Sequence, residues 1–221
     1  MPSIPARPVL VPGLGLDGRS SAALRARVPS AVVLLPGMGL AEPVPSVDEL
    51  GSRLLAELGE GPVVLVGHSQ SCQVVAAAAF DPRVDAVVLL GPTTDPRLRS
   101  PAGLVRQWVR TALHEPARAV PLILAQWWRT GPRAMAALWR SAAPDRIEQR
   151  LGSVQAPVTV VRGTRDRLCP HDWAAHLAAT APHGRLVELP GAAHMTPQTH
   201  PDEVAAVLAD YWPSVRPRTS A

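Results

Sequence analysis

Two kinds of apolar pattern alternate along the chain. Short, nearly uninterrupted apolar runs occupy residues 8–11, 31–35, 62–66, 84–90, 157–161 and 185–189. Runs this short and this rich in Val read as strands, and their lack of polar alternation predicts burial on both faces, as in a parallel sheet between helices. Between them lie stretches whose apolar residues recur at helical spacing, so residues 19–27, 46–58, 70–80, 171–180 and 201–212 read as helices. In the second of these, Ser46 stands three residues before Glu49, a helix-start signature, and Val47, Leu50, Leu54, Leu55 and Leu58 supply the buried stripe before Gly59 and Gly61 end it. Six strands joined by helices predict right-handed crossovers and an α/β fold with a doubly wound, mostly parallel sheet.

The alternation lapses between residues 97 and 149. This segment is rich in Ala, Leu and Arg, holds Trp108, Trp127, Trp128 and Trp139, and is cut by Pro101, Pro116, Pro121, Pro132 and Pro144. It predicts a helical cap inserted after the fourth strand. Residues 1–96 and 150–214 are then the α/β core, 97–149 the cap, and the polar residues 215–221 a disordered tail.

Composition narrows the class. Of 221 residues, 47% are hydrophobic and 18% charged, which suits a packed core and excludes a disordered chain. The 22 Lys+Arg residues are all Arg and are spread along the chain; a net charge of +4 with no basic stripe predicts no nucleic-acid partner. The two cysteines, Cys72 and Cys169, exclude a disulfide scaffold. With no long apolar run and no basic leader before an apolar stretch, neither a membrane partner nor secretion is expected, and the expected location is cytoplasmic.

Ligands on doubly wound sheets bind beyond the carboxyl ends of the strands, so the residues following each strand are the candidates for chemistry. After the third strand comes Gly67-His68-Ser69-Gln70-Ser71, leading directly into a helix. Such a turn is sharp, strains the serine, and needs small residues two before and two after it. It exposes the Ser69 hydroxyl and sets the N–H of Gln70 at a helix start, where it can stabilise a negative oxygen. A serine needs a base to become a nucleophile. His194 follows the sixth strand, and Asp166 follows the fifth; Asp95, after the fourth, is the rival acid. The order Ser69, Asp166, His194 is the one this architecture requires. The turn after the first strand spells Gly13-Leu14-Gly15-Leu16-Asp17-Gly18, a dinucleotide-type fingerprint, yet the second strand ends in Leu35-Pro36-Gly37 without the acid that would hold a ribose.

From residue 8 to residue 212 the chain resembles the α/β-hydrolase superfamily. GHSQS resembles its nucleophile elbow, RGTRDRLCP its acid turn, LPGAAHM its histidine loop and VPGLGLDG its oxyanion loop. The resemblance implies a Ser69-His194-Asp166 triad and an oxyanion hole made by the N–H groups of Leu14 and Gln70. Two positions depart from the pattern: Ser71 stands in place of the usual last Gly of the elbow, and Pro12 where many members have His.

The expected function is therefore serine hydrolysis of a small carboxylic ester or thioester through an acyl-enzyme, without cofactor or metal, by a monomer or homodimer acting on a small-molecule substrate. Trp108, Trp127, Trp128 and Trp139 are candidate substrate contacts because Trp offers large apolar area with one donor. The cap arginines read as solvated faces, with attraction of an anionic substrate open for one or two. Two alternatives stand beside this reading: a non-hydrolytic member of the same fold (lyase, cyclase or binder) and a dinucleotide-dependent oxidoreductase.

Overall fold

The computed structural model describes residues 6–211. Its strands are β1 (Arg7–Val11), β2 (Ala31–Val32), β3 (Leu35–Pro36), β4 (Gly39–Leu40), β5 (Val63–His68), β6 (Val84–Leu90), β7 (Val158–Gly163) and β8 (Gly184–Leu189). Six of them form one parallel sheet in the order β2-β1-β5-β6-β7-β8, while β3 and β4 pair only with each other. The chain runs from β1 outward to β2 and then back past β1 to β5. The carboxyl ends of β1 and β5 therefore border the crevice where the strand order reverses.

Alternate residues of the central strands feed two apolar layers. Val9, Val63, Leu65, Val87 and Leu89 join one core cluster, and Leu10, Val64, Val66, Val88 and Leu90 join the other. The first layer is completed by α2 (Val47–Glu57), α3 (Ser71–Ala78), α7 (Ile147–Leu151) and α8 (His171–Thr180). The second is completed by α1 (Ala22–Arg25), with α9 (Thr196–Thr199) and α10 (Pro201–Ala209) packed beside it. Both faces are thus buried for the central strands. The edge strand β8 is half exposed instead, because a chain at the rim of a sheet has a neighbour on one side only.

Several sequence-based boundaries contract. The second strand, expected over residues 31–35, keeps only Ala31–Val32 in the sheet; the chain then turns at Gly37 and β3 pairs with β4. The first helix, expected over residues 19–27, begins as a 3-10 turn (Gly18–Ser21) capped by Asp17, which accepts from Arg19 N–H. Ser46 caps α2 as its position predicts, accepting from Glu49 N–H at 3.2 Å, but the Glu49 carboxylate pairs with Arg53. Trp212 and the tail at 215–221 lie outside the described residues.

Between β6 and β7 the described residues form helices and turns without a strand: α4 (Pro101–Ala112), α5 (Val120–Thr130) and α6 (Pro132–Ala142), then α7. Leu138 of α6 is fully buried in the first core layer, against Gly37. Gln126 of α5 accepts from Asp17 N–H at 2.8 Å, and the Thr130 hydroxyl donates to Gly15 O at 3.0 Å. The helical segment thus rests on the loop that follows β1.

Candidate active site

The turn from β5 into α3 forces an unusual backbone. Ser69 has φ 57°, in the left-handed region that costs an L-residue roughly 1–2 kcal/mol. The turn holds because its neighbours fix it: Ser69 N–H donates to Leu90 O at 2.8 Å on β6. Gly67 allows α3 to fold back, since a Cβ there would lie 2.7 Å from Val75 Cγ2 and 2.9 Å from Cys72 Cα. Ser71 does more than stay small. Its hydroxyl accepts from His68 N–H at 2.8 Å and lies 2.7 Å from Val11 O and 2.9 Å from His68 O, sharing its one proton between them. It ties the end of β1 to the turn, a bond that a glycine at this position would not supply.

Asp166 and His194 meet across the ends of β7 and β8. Asp166 Oδ2 and His194 Nδ1 are 2.7 Å apart, and both side chains are buried. The other oxygen of Asp166 accepts from Leu168 N–H at 2.8 Å and Cys169 N–H at 3.2 Å, so the carboxylate is fixed in rotation. Asp95, the rival acid, is occupied elsewhere: Arg97 binds it through its N–H and the Nε/Nη2 edge of its guanidinium. Gly91, at φ 59°, makes room for the pair, since a Cβ there would sit 3.0 Å from His194 Nδ1 and 3.1 Å from Asp166 Oδ2. Because Gly91 immediately follows Leu90, the acceptor for Ser69 N–H, the three side chains gather above one stretch of the sheet edge. Among the described residues the Ser69 hydroxyl has no hydrogen-bond partner, and no bond joins it to His194 Nε2; hydrogen bonds of this kind are often long before substrate binds.

Two neighbours of His194 gave no signal in the sequence. His68 stacks beside it with ring centroids 5.1 Å apart and lies 3.0 Å, through Nε2, from His194 O. Since a carbonyl only accepts, Nε2 carries the proton. Burial, with the charge of His194, lowers the His68 pKa to about 3, so this ring is neutral near neutral pH. Glu115, in the turn after α4, receives the N–H groups of His194 and Met195 on Oε1, each at 2.7 Å. It holds the histidine loop from the side of the helical segment. Burial raises the Glu115 pKa, opposed by the Met195 N–H. For His194 burial works downward, but the charge and hydrogen bond of Asp166, helped by the charge of Glu115, outweigh it and leave the imidazole above its ordinary 6.5.

The N–H groups of Leu14 and Gln70 are unclaimed: among the described residues neither donates to a protein acceptor. Gly13 lies against the serine, its virtual Cβ 2.9 Å from Ser69 Cβ, which brings Leu14 alongside the turn that carries Gln70. Two free donors beside a strained serine can hold a negative oxygen.

The four tryptophans part company. Trp139 borders a narrow recess with Gln70, Thr93, Thr94 and Arg99. Trp127 lies against Gly15 and stacks on Trp108 at 5.2 Å between centroids. Trp128 is 89% exposed and takes no part in the cluster. Among the described residues no group of His, Cys, Asp and Glu side chains is placed to hold a metal ion, and no helix is long and apolar enough to cross a membrane.

A model of the alpha/beta hydrolase family matches residues 9–207. The lipase LipV of Mycobacterium tuberculosis is 30% identical over 249 residues, covering 94% of this chain and 93% of its own. Among solved structures, a thermophilic esterase from Thermogutta terrifontis superposes with a TM-score of 0.71 at 19% identity, over 96% of this chain and 92% of its own. A hydrolase from Oleispira antarctica superposes with a TM-score of 0.74 at 14% identity, over 95% of this chain and 92% of its own.

Proposed function

The chain belongs to the alpha/beta hydrolase family, and on that footing we propose that it is a serine hydrolase cleaving a small carboxylic ester or thioester through an acyl-enzyme. The observation that carries the reading is the 2.7 Å contact between His194 Nδ1 and Asp166 Oδ2. It commits one ring nitrogen to the carboxylate and leaves Nε2 as the basic nitrogen beside the Ser69 turn. The lipase and esterase names among the relatives support the same class.

In this mechanism Ser69 Oγ attacks the acyl carbon while His194 Nε2 takes its proton. The imidazolium that forms is stabilised by Asp166, whose fixed carboxylate also keeps the ring in the required tautomer. The carbonyl oxygen becomes negative and is held by the N–H groups of Leu14 and Gln70, each such donor being worth about 3–4 kcal/mol. Collapse expels the alkoxide or thiolate, which receives the proton from His194. Water, deprotonated in turn by His194, then releases the acid and restores Ser69.

The test is mass spectrometry after treatment with a fluorophosphonate, alongside turnover of 4-nitrophenyl acetate. The expected result is a single adduct on Ser69, absent in Ser69→Ala and His194→Ala. A folded protein that takes no label and releases no nitrophenol would overturn the reading in favour of a non-hydrolytic role for the same fold.

A further inference from the structure

Four arginines in this protein share one habit. Arg19, Arg27, Arg83 and Arg97 each turn the Nε/Nη2 edge of the guanidinium to the carboxylate of an aspartate, as in the Arg83–Asp81 pair at 2.8 and 2.9 Å. That edge presents two parallel N–H groups and matches the two oxygens of a carboxylate. Arg99 breaks the habit. Its Nε and Nη2 are both buried from water, and among the described residues neither has a hydrogen-bond partner. Two N–H donors of a half-buried guanidinium are thus withdrawn from bulk water without a protein partner, a state that a ligand or an ordered water relieves.

What surrounds Arg99 says what that is. The side chain borders the recess formed with Gln70, Thr93, Thr94, Leu104 and Trp139. The Thr93 hydroxyl is also buried there without a partner, adding a third unclaimed polar atom. Asp95, four residues before Arg99, is engaged by Arg97, as is Asp172, and Asp145 is engaged by Arg150. Gln70 belongs both to this recess and, through its backbone N–H, to the place where the acyl oxygen would lie.

We propose that Arg99, with Thr93, recognises a carboxylate carried by the acyl half of the substrate, so that the enzyme prefers acyl groups with a terminal negative charge. This rests on the serine-hydrolase reading for the cleavage step but not for the binding of the anion. The planar fork of Arg99 would take the two carboxylate oxygens, and the Thr93 hydroxyl would donate to one of them.

The experiment compares the mono-4-nitrophenyl ester of glutaric acid with its neutral methyl ester. The expected kcat/KM ratio favours the anion by about tenfold to a hundredfold, the range for a bidentate charged contact. It should fall to about one in Arg99→Gln and recover in part in Arg99→Lys, while free glutarate competes with substrate and dimethyl glutarate does not. Equal turnover of the two esters by the wild type, or a ratio unchanged in Arg99→Gln, would overturn the proposal while leaving the hydrolase reading intact. If Arg99→Gln does not fold, competition by glutarate against the wild type decides, and its absence overturns the site. If neither ester is cleaved and Ser69 takes no fluorophosphonate, the hydrolase reading fails instead. The carboxylate site is then judged by melting temperature: glutarate raising it in the wild type, less in Arg99→Lys and not at all in Arg99→Gln upholds the site, and no rise in the wild type overturns it.

Discussion

Two regions that both carry large apolar side chains end in different surroundings. In β5 and β6 nearly every side chain, polar or apolar, is buried. In the helical segment Val105, Trp108, Val109, Leu113, Val120, Leu124 and Trp128 stand in solvent, with Leu113 79% and Trp128 89% exposed. A central strand has helices on both faces and no free side, whereas a helix lying over a sheet edge is held on one side only. The segment is fastened at separate points, several of them on loops at the carboxyl edge. Gln126 meets Asp17, Thr130 meets Gly15, Glu115 meets His194 and Met195, and the Thr111 hydroxyl accepts from Arg167 N–H at 3.0 Å. The difference teaches that the sheet edge carries the candidate catalytic groups while the segment grips the loops around them.

That division can be tested by striking each region in turn. The largest effect belongs to the sheet edge: Asp166→Asn, which keeps the shape but not the charge, should lower kcat on 4-nitrophenyl esters by about 10⁴-fold, read from initial rates. Leu138→Ala, where α6 enters the core, should cost about 2–5 kcal/mol of stability in denaturant titration. Glu115→Gln keeps an oxygen for the two loop N–H groups and removes the charge. Because that charge helps hold the His194 pKa above 6.5, and the base must be neutral to act, the acid limb of kcat/KM should lie above 6.5 in the wild type. In Glu115→Gln the limb should shift to lower pH, by less than about one unit, with little change in kcat on the alkaline plateau. Trp128→Ser should change stability by no more than about 0.5 kcal/mol, since the side chain already stands in water. A loss as large as that of Leu138→Ala would mean that the two faces of the segment are not as different as drawn.

The sheet was legible because its signal is local. Five or six consecutive apolar residues leave a strand no other place, and the Gly67–Ser71 turn announces itself by small residues around one serine. The second strand was overread because AVVLL looks continuous in one dimension, while the fold needs the chain to leave the edge after Val32 and turn at Gly37 beneath Leu138. Glu115 left no trace because it acts across 79 residues, from a turn whose sequence shows only an acid before a proline. Arg99 was one among 22 arginines; only burial without a partner separates it from the rest. Trp128 shows what residue type alone leaves open, since its side chain faces water while Trp139 borders the recess beside Gln70.

The Glu115 carboxylate carries a consequence for anyone exchanging parts between relatives. Because Oε1 receives both loop N–H groups, a graft that replaces the helices after β6 with those of another member would remove the latch of the histidine loop along with the roof. Such chimeras should lose turnover even when the donor roof suits the new substrate, and regain it when an acid is written back at the matching turn.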